Sequence, residues 1–134
     1  MSLEKMAASL LILVLCAPAH AQERSCTPPL QSMLRVELYF GRSIDGGRPV
    51  SDREWAQFVS RELTPRFPGL TMLDGRGAWR RGVHEMREQT KIVVIVLPES
   101  PANRGQIAAA ADAYKEAFQQ SSVGIVTQPV CAAF

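Results

Sequence analysis

Histidine and cysteine are scarce in this chain, which argues against a metal-dependent function. The 134 residues include two His and three Cys, and Cys26 and Cys131 lie far apart in the sequence. Structural zinc sites bring together Cys and His ligands that occur in closely spaced pairs. The sequence has no such spacing and therefore predicts no metal site.

An excess of charge of one sign is also lacking. The 15 Lys and Arg oppose 13 Asp and Glu, which leaves a net charge of +2. Domains that bind nucleic acid usually concentrate basic residues on one face, so no nucleic-acid partner is predicted. The length leaves room for one domain, and the 46% hydrophobic content is near the globular average.

A hydrophobic run long enough to cross a membrane is absent, and the uncharged run nearest that length lies at the N terminus. Ala7–Ala17 follows Lys5 and has about half of the ~20 residues that a spanning helix needs. Ala19 and Ala21 occupy the small positions that signal peptidase requires. We therefore predict a signal peptide at residues 1–21, cleaved after Ala21. The protein is then exported, to the periplasm or outside the cell, with no membrane span after cleavage.

Cys16 offers an alternative to this cleavage, because it could accept a lipid and anchor the protein. Lipid-modified cysteines usually follow a small residue, whereas Leu15 precedes Cys16, so cleavage after Ala21 is favoured. Cleavage leaves Cys26 and Cys131 as the remaining cysteines. In an oxidising compartment these two have one intramolecular pairing available, and the sequence predicts that disulfide.

Four strand patterns follow an extended lead-in at residues 22–33. Leu34–Phe40 alternates apolar and polar residues, the period of a strand with one buried face. Ile92–Leu97 is apolar at every position, which is typical of a central strand covered on both faces. A further strand begins at Leu70, with a bulge or bend predicted at Asp74–Gly77 and a hairpin tip at Arg80–Gly82. The last strand is predicted within residues 123–134.

Two helix patterns separate these strands, each with a capping signal at its start. Ser51 and Glu54 form a capping box, and Ser100 precedes a proline at the first helical position. The buried stripes are predicted at Trp55, Phe58, Val59 and Leu63 in the first helix, and at Ile107, Ala111, Tyr114 and Phe118 in the second.

The order of these elements predicts an α+β fold, the ferredoxin-like βαββαβ sandwich, as a single domain at residues 34–134. Two right-handed crossovers give a four-stranded antiparallel sheet with both helices on one face. The first and third strands are central in this topology. The first and last strands are neighbours, which would bring Cys26 close to Cys131.

Two short motifs begin like catalytic or cofactor-binding signatures but are incomplete. Gly75 and Gly77 start a dinucleotide fingerprint, yet Arg80 stands where its third glycine belongs. Gly41–Asp45 starts a nucleophile elbow, yet Asp45 replaces the closing glycine. The sequence therefore predicts no cofactor and provides no complete catalytic motif.

Five residues are the candidate ligand-binding groups: Tyr39, Arg42, Asp74, Trp79 and His84. Trp79 lies between a glycine-rich bend and an arginine pair, where an exposed Trp would indicate contact with a ligand or partner. Convergence of Tyr39, Arg42 and Asp74 in one deep pocket would favour an enzyme.

Charged residues of the hairpin allow two further interpretations. His84 beside Glu85 and Glu88 could act as a proton-transferring histidine near neutral pH. An arginine cluster could bind a small anionic ligand through its guanidinium groups. The cluster consists of Arg76, Arg80, Arg81 and Arg87. For both groups, an exposed hairpin with solubilising charge is the simpler interpretation.

The sheet face away from the helices is predicted to be partly covered. Arg35, Glu37 and Tyr39 point to it from the first strand, and Ile92–Leu97 contributes apolar residues. A homodimer through this outer face, a protein partner or the lead-in at residues 22–33 would provide the cover.

Five short motifs are distributed along the chain, and they are Tyr39-Phe40-Gly41-Arg42, Val50-Ser51-Asp52-x-Glu54-Trp55-x-x-Phe58, Thr64-Pro65-Arg66-Phe67-Pro68-Gly69-Leu70-Thr71, Leu73-Asp74-Gly75-x-Gly77-x-Trp79 and Gln128-Pro129-Val130-Cys131. Together these motifs resemble a family of small exported bacterial proteins, domain of unknown function 3574. The resemblance implies a bacterial origin and an extracytoplasmic location. It implies no activity and no catalytic residues.

Three hypotheses for the function follow. The favoured one is a non-catalytic, exported ligand-binding or accessory domain, because the sequence shows no complete catalytic constellation. The second is a small cofactor-independent enzyme that uses a cleft on the sheet face. The third is an envelope interaction module that acts as a dimer or with a protein partner, which a flat apolar outer face would favour.

Overall fold

The structure is a computed structural model that describes residues 25–44 and 47–134. The predicted signal peptide at residues 1–21, with Cys16 and the cleavage position Ala21, lies outside the described residues. No helix in the described part of the chain is long and apolar enough to cross a membrane.

Four strands form one antiparallel sheet, and the helices pack on one of its faces. The strands are β1 (Gln31–Gly41), β2 (Thr71–Arg81), β3 (His84–Leu97) and β4 (Gly124–Ala132), in the spatial order β2-β3-β1-β4. The helices are α1 (Asp52–Phe58), which continues as a π-helical turn over Val59–Leu63, and α2 (Pro101–Phe118). This arrangement is the predicted ferredoxin-like fold, with β1 and β3 in the centre.

The capping residues determine where both α-helices begin. The Ser51 side chain accepts a hydrogen bond from the Glu54 N–H, and the Glu54 carboxylate accepts one from the Ser51 N–H. Ser100 caps α2 by accepting a hydrogen bond from the Asn103 N–H. Both predicted starts are therefore confirmed, and the start of α1 directs Trp55 toward the core.

Glu54 is expected to make folding stability depend on pH in the acidic range. Its pKa lies below the ordinary value of 4.5, because Arg48 and then Ser51 donate hydrogen bonds to the carboxylate. A carboxylate with a pKa lowered by folding contributes stability above its unfolded pKa, and the contribution disappears as pH falls through the folded pKa. We expect Glu54→Gln to show a weaker loss of stability below pH 4.5 than the wild type. Urea denaturation at a series of pH values checks this, and equal pH dependence would contradict it.

The core lies between the inner face of the sheet and the helices. The inward residues of β1 are at most 1% exposed, and they alternate as the period-2 pattern predicts. An aromatic cluster of Phe40, Trp55, Phe58, Tyr114 and Phe118 joins β1 to both helices, with ring centroids between 4.7 and 6.1 Å apart. The Tyr114 hydroxyl donates a hydrogen bond to the Gly41 carbonyl at 2.8 Å.

The second strand is continuous, so the predicted bulge at Asp74–Gly77 is wrong. Each residue of β2 pairs with one residue of β3. The pairing continues through both glycines with no extra residue in either strand. The hairpin turn is Gly82–Val83 rather than Arg80–Gly82, because Arg81 already pairs with His84. Gly82 has a φ of 61°, a conformation that glycine adopts without steric strain.

The N-terminal end of the domain is joined to the end of β4. Strand β1 begins at Gln31, earlier than the predicted Leu34, because residues 31–33 pair with the C-terminal part of β4. Cys26 and Cys131 form a disulfide with a Cα–Cα distance of 5.6 Å, in the pairing that the sequence predicts. The antiparallel neighbours β1 and β4 bring the two cysteines together.

Candidate functional site

The five candidate residues are divided between the two sides of the sheet. Directly paired residues of neighbouring strands point to the same face, and side chains alternate along each strand. Tyr39 and Trp79 thus lie on the outer face, whereas Asp74 pairs with Lys91 on the helix side. His84 is exposed beside the hairpin turn. The structure therefore does not combine the five residues in one site.

Arg42 and Asp74 line a cleft of about 430 Å³ on the helix side of the sheet. The Arg42 Nε and Nη2 donate to the Val50 carbonyl at 2.8 and 2.5 Å, and Nη1 lies 2.9 Å from Asp52 Oδ1. The Lys91 Nζ lies 2.5 Å from Asp74 Oδ1. The carboxylates of this chain therefore already neutralise both cations. Arg42 also closes the loop that leads to α1.

A second cleft, of about 480 Å³, lies on the outer face. It is bounded by the β2–β3 hairpin and by the loop that joins α2 to β4, and we term it the sheet cleft. Tyr39 from β1 and Trp79 from β2 flank Glu88 and Thr90 from the intervening strand β3. Two of the five predicted residues thus belong to one site.

Glycines form the floor of the sheet cleft. Gly41 of β1, Gly77 of β2 and Gly124 of β4 line it. A Cβ at Gly124 would lie 3.1 Å from the Tyr39 Cβ, and a Cβ at Gly41 would lie 2.6 Å from Glu88 Oε1. The side chains of Tyr39 and Glu88 therefore occupy the space over Gly124 and Gly41. At Gly77 the nearest atom to such a Cβ is Thr90 Oγ1 at 3.6 Å, so a molecule can approach the backbone closely there.

Glu88 is the acidic group in the sheet cleft, and its carboxylate lies over Gly41. Its Oε1 accepts a hydrogen bond from the Ser43 N–H at 2.6 Å. Its Oε2 accepts no hydrogen bond from another residue that the structure describes. One carboxylate oxygen therefore remains available to a donor group of a ligand.

Tyr39 and Trp79 provide aromatic surface rather than polar groups. The Tyr39 hydroxyl donates to Glu37 Oε2 at 2.5 Å, and this hydrogen bond raises the pKa of Tyr39. The same bond, followed by that from Arg35, lowers the pKa of Glu37. Trp79 is 43% exposed, which confirms that its indole is accessible.

The predicted charged clusters of the hairpin are each divided between the two faces of the sheet. His84 and Glu88 share the outer face, and Arg76, Arg80 and Arg87 share the helix side. Glu85 and His84 are adjacent in β3 and point to opposite faces, and the Glu85 carboxylate accepts a hydrogen bond from Arg87 Nε at 2.6 Å. Of the four arginines, Arg81 is on the outer face and the others are on the helix side, as their pairing with β3 requires. Within the described ranges, no three His, Cys, Asp or Glu residues form a group that could hold a metal.

Residues that sequence reasoning missed make up much of the sheet cleft. The sequence analysis considers Glu88 only as a neighbour of His84, and Gly77 only as part of a bulge with Gly75. The spacing of two residues between these glycines is the available signal, because it places both on one face of a regular strand. Gly77 lines the sheet cleft, whereas Ile92 covers Gly75. The alignment of Gly41 and Gly124 with this face depends on long-range strand pairing, which no local pattern reports.

A family profile described as a protein of unknown function (DUF3574) matches residues 35–134. The chain belongs to this family. The matched range contains both helices, β2 to β4 and most of β1, so the resemblance found in the sequence motifs is confirmed. Family membership assigns no activity.

Solved structures with the same fold include a phage SAM lyase in two states. Its complex with S-methyl-5'-thioadenosine has a TM-score of 0.58 and 16% identity, and covers 75% of this chain and 90% of that one. Its apo state has a TM-score of 0.57 and 17% identity, with 75% and 84% coverage. The B. subtilis GlnK–ATP complex has a TM-score of 0.49 and 15% identity, with 74% and 82% coverage. No curated protein matches the chain.

Proposed function

We propose that this protein is an exported, non-catalytic binding protein whose sheet cleft holds a small molecule with a flat ring. The observation that carries the proposal is the exposed Trp79 indole in a cleft that Gly77 leaves open, with Tyr39 and the Glu88 carboxylate also lining the cleft. Aromatic rings stack on Trp and Tyr. A carboxylate oxygen accepts strong hydrogen bonds from N–H or O–H groups.

The polar groups of the sheet cleft favour a ligand that carries hydrogen-bond donors and no net charge. Glu88 and Arg81 contribute one negative and one positive charge, and Thr90, Ser121 and Ser122 contribute hydroxyls. Opposite charges in one cleft give no preference for an anion. A nucleoside-like molecule combines a flat ring, hydroxyl donors and no charge. An anionic ligand at the hairpin arginines stays a prediction.

The phage SAM lyase suggests a specific probe. That protein shares the fold and was solved with S-methyl-5'-thioadenosine, an uncharged nucleoside derivative. Its identity to this chain is 16%, so only the fold is shared, and the choice of ligand depends on the residues of the sheet cleft. We propose the uncharged nucleosides as the class to test first.

The candidate polar groups lie on different sides of the sheet, and this favours a binding role over catalysis. Convergence of Tyr39, Arg42 and Asp74 in a deep pocket was the expected sign of an enzyme. Arg42 and Asp74 instead pair with charged residues on the helix side, while Tyr39 lies on the outer face. Export is supported by the disulfide between Cys26 and Cys131, since such bonds persist in oxidising compartments.

Trp79→Ala is expected to weaken nucleoside binding. Stacking of a base on an aromatic side chain contributes about 1–3 kcal/mol, which corresponds to a loss of affinity of roughly 5- to 150-fold. Calorimetric titration of the wild type and the variant with adenosine and with S-methyl-5'-thioadenosine measures the change in affinity. Val83→Ala is a control outside the sheet cleft, because Val83 is 90% exposed at the hairpin turn.

Gly77→Val is expected to fill part of the sheet cleft and leave the fold intact. A Cβ at Gly77 would meet its nearest neighbour, Thr90 Oγ1, at 3.6 Å, which is ordinary contact, and valine is favoured in strands. The variant should therefore fold and lose binding. Native mass spectrometry of the wild type provides an unbiased check for small molecules that remain bound during purification. Failure of both nucleosides to bind, together with no retained molecule, would overturn the proposal.

A further inference from the structure

The β2–β3 hairpin extends beyond the rest of the sheet. Strand β1 pairs with β3 as far as Gly41 and Thr90, whereas β2 and β3 remain paired with each other as far as Arg81 and His84. At about 3.3 Å per residue, the hairpin projects roughly 20 Å past the end of β1. Residues 78–87 form the projecting part, and all of them are exposed. We term these residues the hairpin arm.

Apolar side chains stand at the free end of the hairpin arm. Val83 lies in the turn and is 90% exposed. Trp79 and Met86 pair with each other across the two strands and are 43% and 41% exposed. Turn positions usually hold glycine or short polar residues, so the turn itself does not require a valine. Exposed apolar and tryptophan side chains of this kind are typical of segments that enter the interface of a lipid bilayer.

The hairpin arm also holds a local excess of positive charge. Three arginines oppose one glutamate there, and the difference of +2 equals the net charge of the entire chain. The Glu85 carboxylate is paired with Arg87 Nε at 2.6 Å. Arg80 and Arg81 form no ion pair within the part of the chain that the structure describes. These two cations are therefore available to anions outside the chain.

The cations surround the hairpin arm rather than occupying one side of it. Arg81 points to the outer face, and Arg80 and Arg87 point to the helix side. Val83 lies beyond all three, at the end of the arm. Positive charge on both sides of an apolar end suits a surface that the arm meets end-on. A one-sided arrangement would instead favour a partner that lies flat against one face.

We infer that the end of the hairpin arm binds the surface of a membrane that contains anionic lipids. Val83 enters the boundary between the headgroups and the acyl chains, and Arg80 and Arg81 contact lipid phosphates beside it. An acidic protein would match the arginines alone, whereas an anionic bilayer matches both the charge and the exposed apolar end. The inference does not depend on the ligand proposed for the sheet cleft.

Val83→Asp tests the apolar part of this contact. The wild type, cleaved after Ala21, should sediment at low salt with vesicles of phosphatidylcholine mixed with phosphatidylglycerol, and not with vesicles of phosphatidylcholine alone. The substitution should lower the affinity for the mixed vesicles by about 10-fold or more, because it replaces an inserted apolar group with a charge. Phe134→Asp is the control, since Phe134 is 97% exposed at the other end of the chain. This control should bind as the wild type does.

Removal of two arginine charges tests the electrostatic part. Arg80→Gln combined with Arg87→Gln should lower the affinity for the mixed vesicles roughly 30-fold, because each arginine near an anionic leaflet strengthens binding about 5-fold. Added salt should weaken the wild type in the same direction. Arg53→Gln combined with Arg61→Gln makes the same change at exposed arginines of α1 and its π-helical turn. This second control should keep the wild-type affinity.

The outcomes distinguish the membrane from other partners. Far-ultraviolet circular dichroism establishes that each variant is folded. Failure of the wild type to bind the mixed vesicles at low salt would overturn the inference, as would equal binding to the neutral vesicles. Equal weakening by the hairpin variants and their controls would also overturn it, because overall charge would then explain the binding. Retention on polyglutamate without vesicle binding would indicate an acidic protein partner and would overturn it too. Loss of nucleoside binding in a protein that still binds the mixed vesicles would affect the proposed function alone.

Discussion

Replacement of Phe58 by alanine is expected to lower the free energy of unfolding by about 3–5 kcal/mol. Phe58 is 5% exposed, and its ring centroid lies 5.0–6.0 Å from the four other rings of the aromatic cluster. The remaining rings cannot readily fill the space. Phe40 is fixed within β1. The Tyr114 ring is restrained by the hydrogen bond that its hydroxyl donates to the Gly41 carbonyl. A loss of this size is a large share of the roughly 5–15 kcal/mol that stabilises a domain.

Urea denaturation followed by circular dichroism measures this effect. Phe134→Ala is the matched control, because it makes the same chemical change at a side chain that is 97% exposed. The control should change the stability by less than about 0.5 kcal/mol. A loss below about 1 kcal/mol for Phe58→Ala would mean that Phe58 is less tightly packed than the structure shows.

The architecture was predictable because each local signal agreed with the others. The alternation in β1 indicated which side chains are buried, and the capping box at Ser51 and Glu54 gave the start of α1. The apolar run of β3 indicated a central strand. The order of these elements then left the ferredoxin-like topology as the simplest arrangement. Consistency across levels of this kind is what allows a fold to be predicted from one sequence.

The error in β2 had a specific physical cause. Gly75 and Gly77 have low intrinsic strand propensity, which favoured a bulge in the local interpretation. Pairing with β3 along the entire strand outweighs that propensity, because strand preference depends strongly on tertiary context. A bulge inserts one residue and reverses the face of every residue that follows it. The incorrect bulge therefore also concealed which residues share a face with Trp79.

The division of the candidate site follows from the same alternation. Asp74 and Trp79 are separated by five positions within β2. An odd separation in a regular strand places two side chains on opposite faces. With β2 treated as continuous, the sequence alone would have separated Asp74 from Trp79. The position of Glu88 over Gly41 could not be read in this way, because it depends on how β3 aligns with β1.

The outer face therefore has two chemically different halves. At one end, Gly77 leaves the backbone open beside Trp79 and Glu88. At the other end, the outward residues of β3 are branched and apolar, and their partners on β1 include Arg35 and Glu37. Side chains of β3 thus change from Glu88 and Thr90 to branched apolar residues along the same strand.

Removal of the disulfide between Cys26 and Cys131 is the second change for which we expect a large effect. The bond connects residues 105 positions apart. A crosslink that closes a loop of this length restricts the unfolded chain, which stabilises the folded state by up to about 4–5 kcal/mol. Cys26→Ala combined with Cys131→Ala removes the bond without leaving an unpaired thiol. We expect the double variant to lose stability by an amount approaching this value.

The bond also affects the folded state, because it holds the lead-in beside the end of β4. Without it, the pairing of residues 31–33 with the C-terminal part of β4 should open more readily, and hydrogen exchange of those amides should accelerate. Urea denaturation with and without reductant provides the control. Reductant should lower the midpoint of the wild type, cleaved after Ala21, to that of the double variant, and should not change the double variant itself. A thiol assay on the denatured, unreduced wild type should detect no free thiol. Two free thiols there would contradict both the disulfide and its contribution to stability.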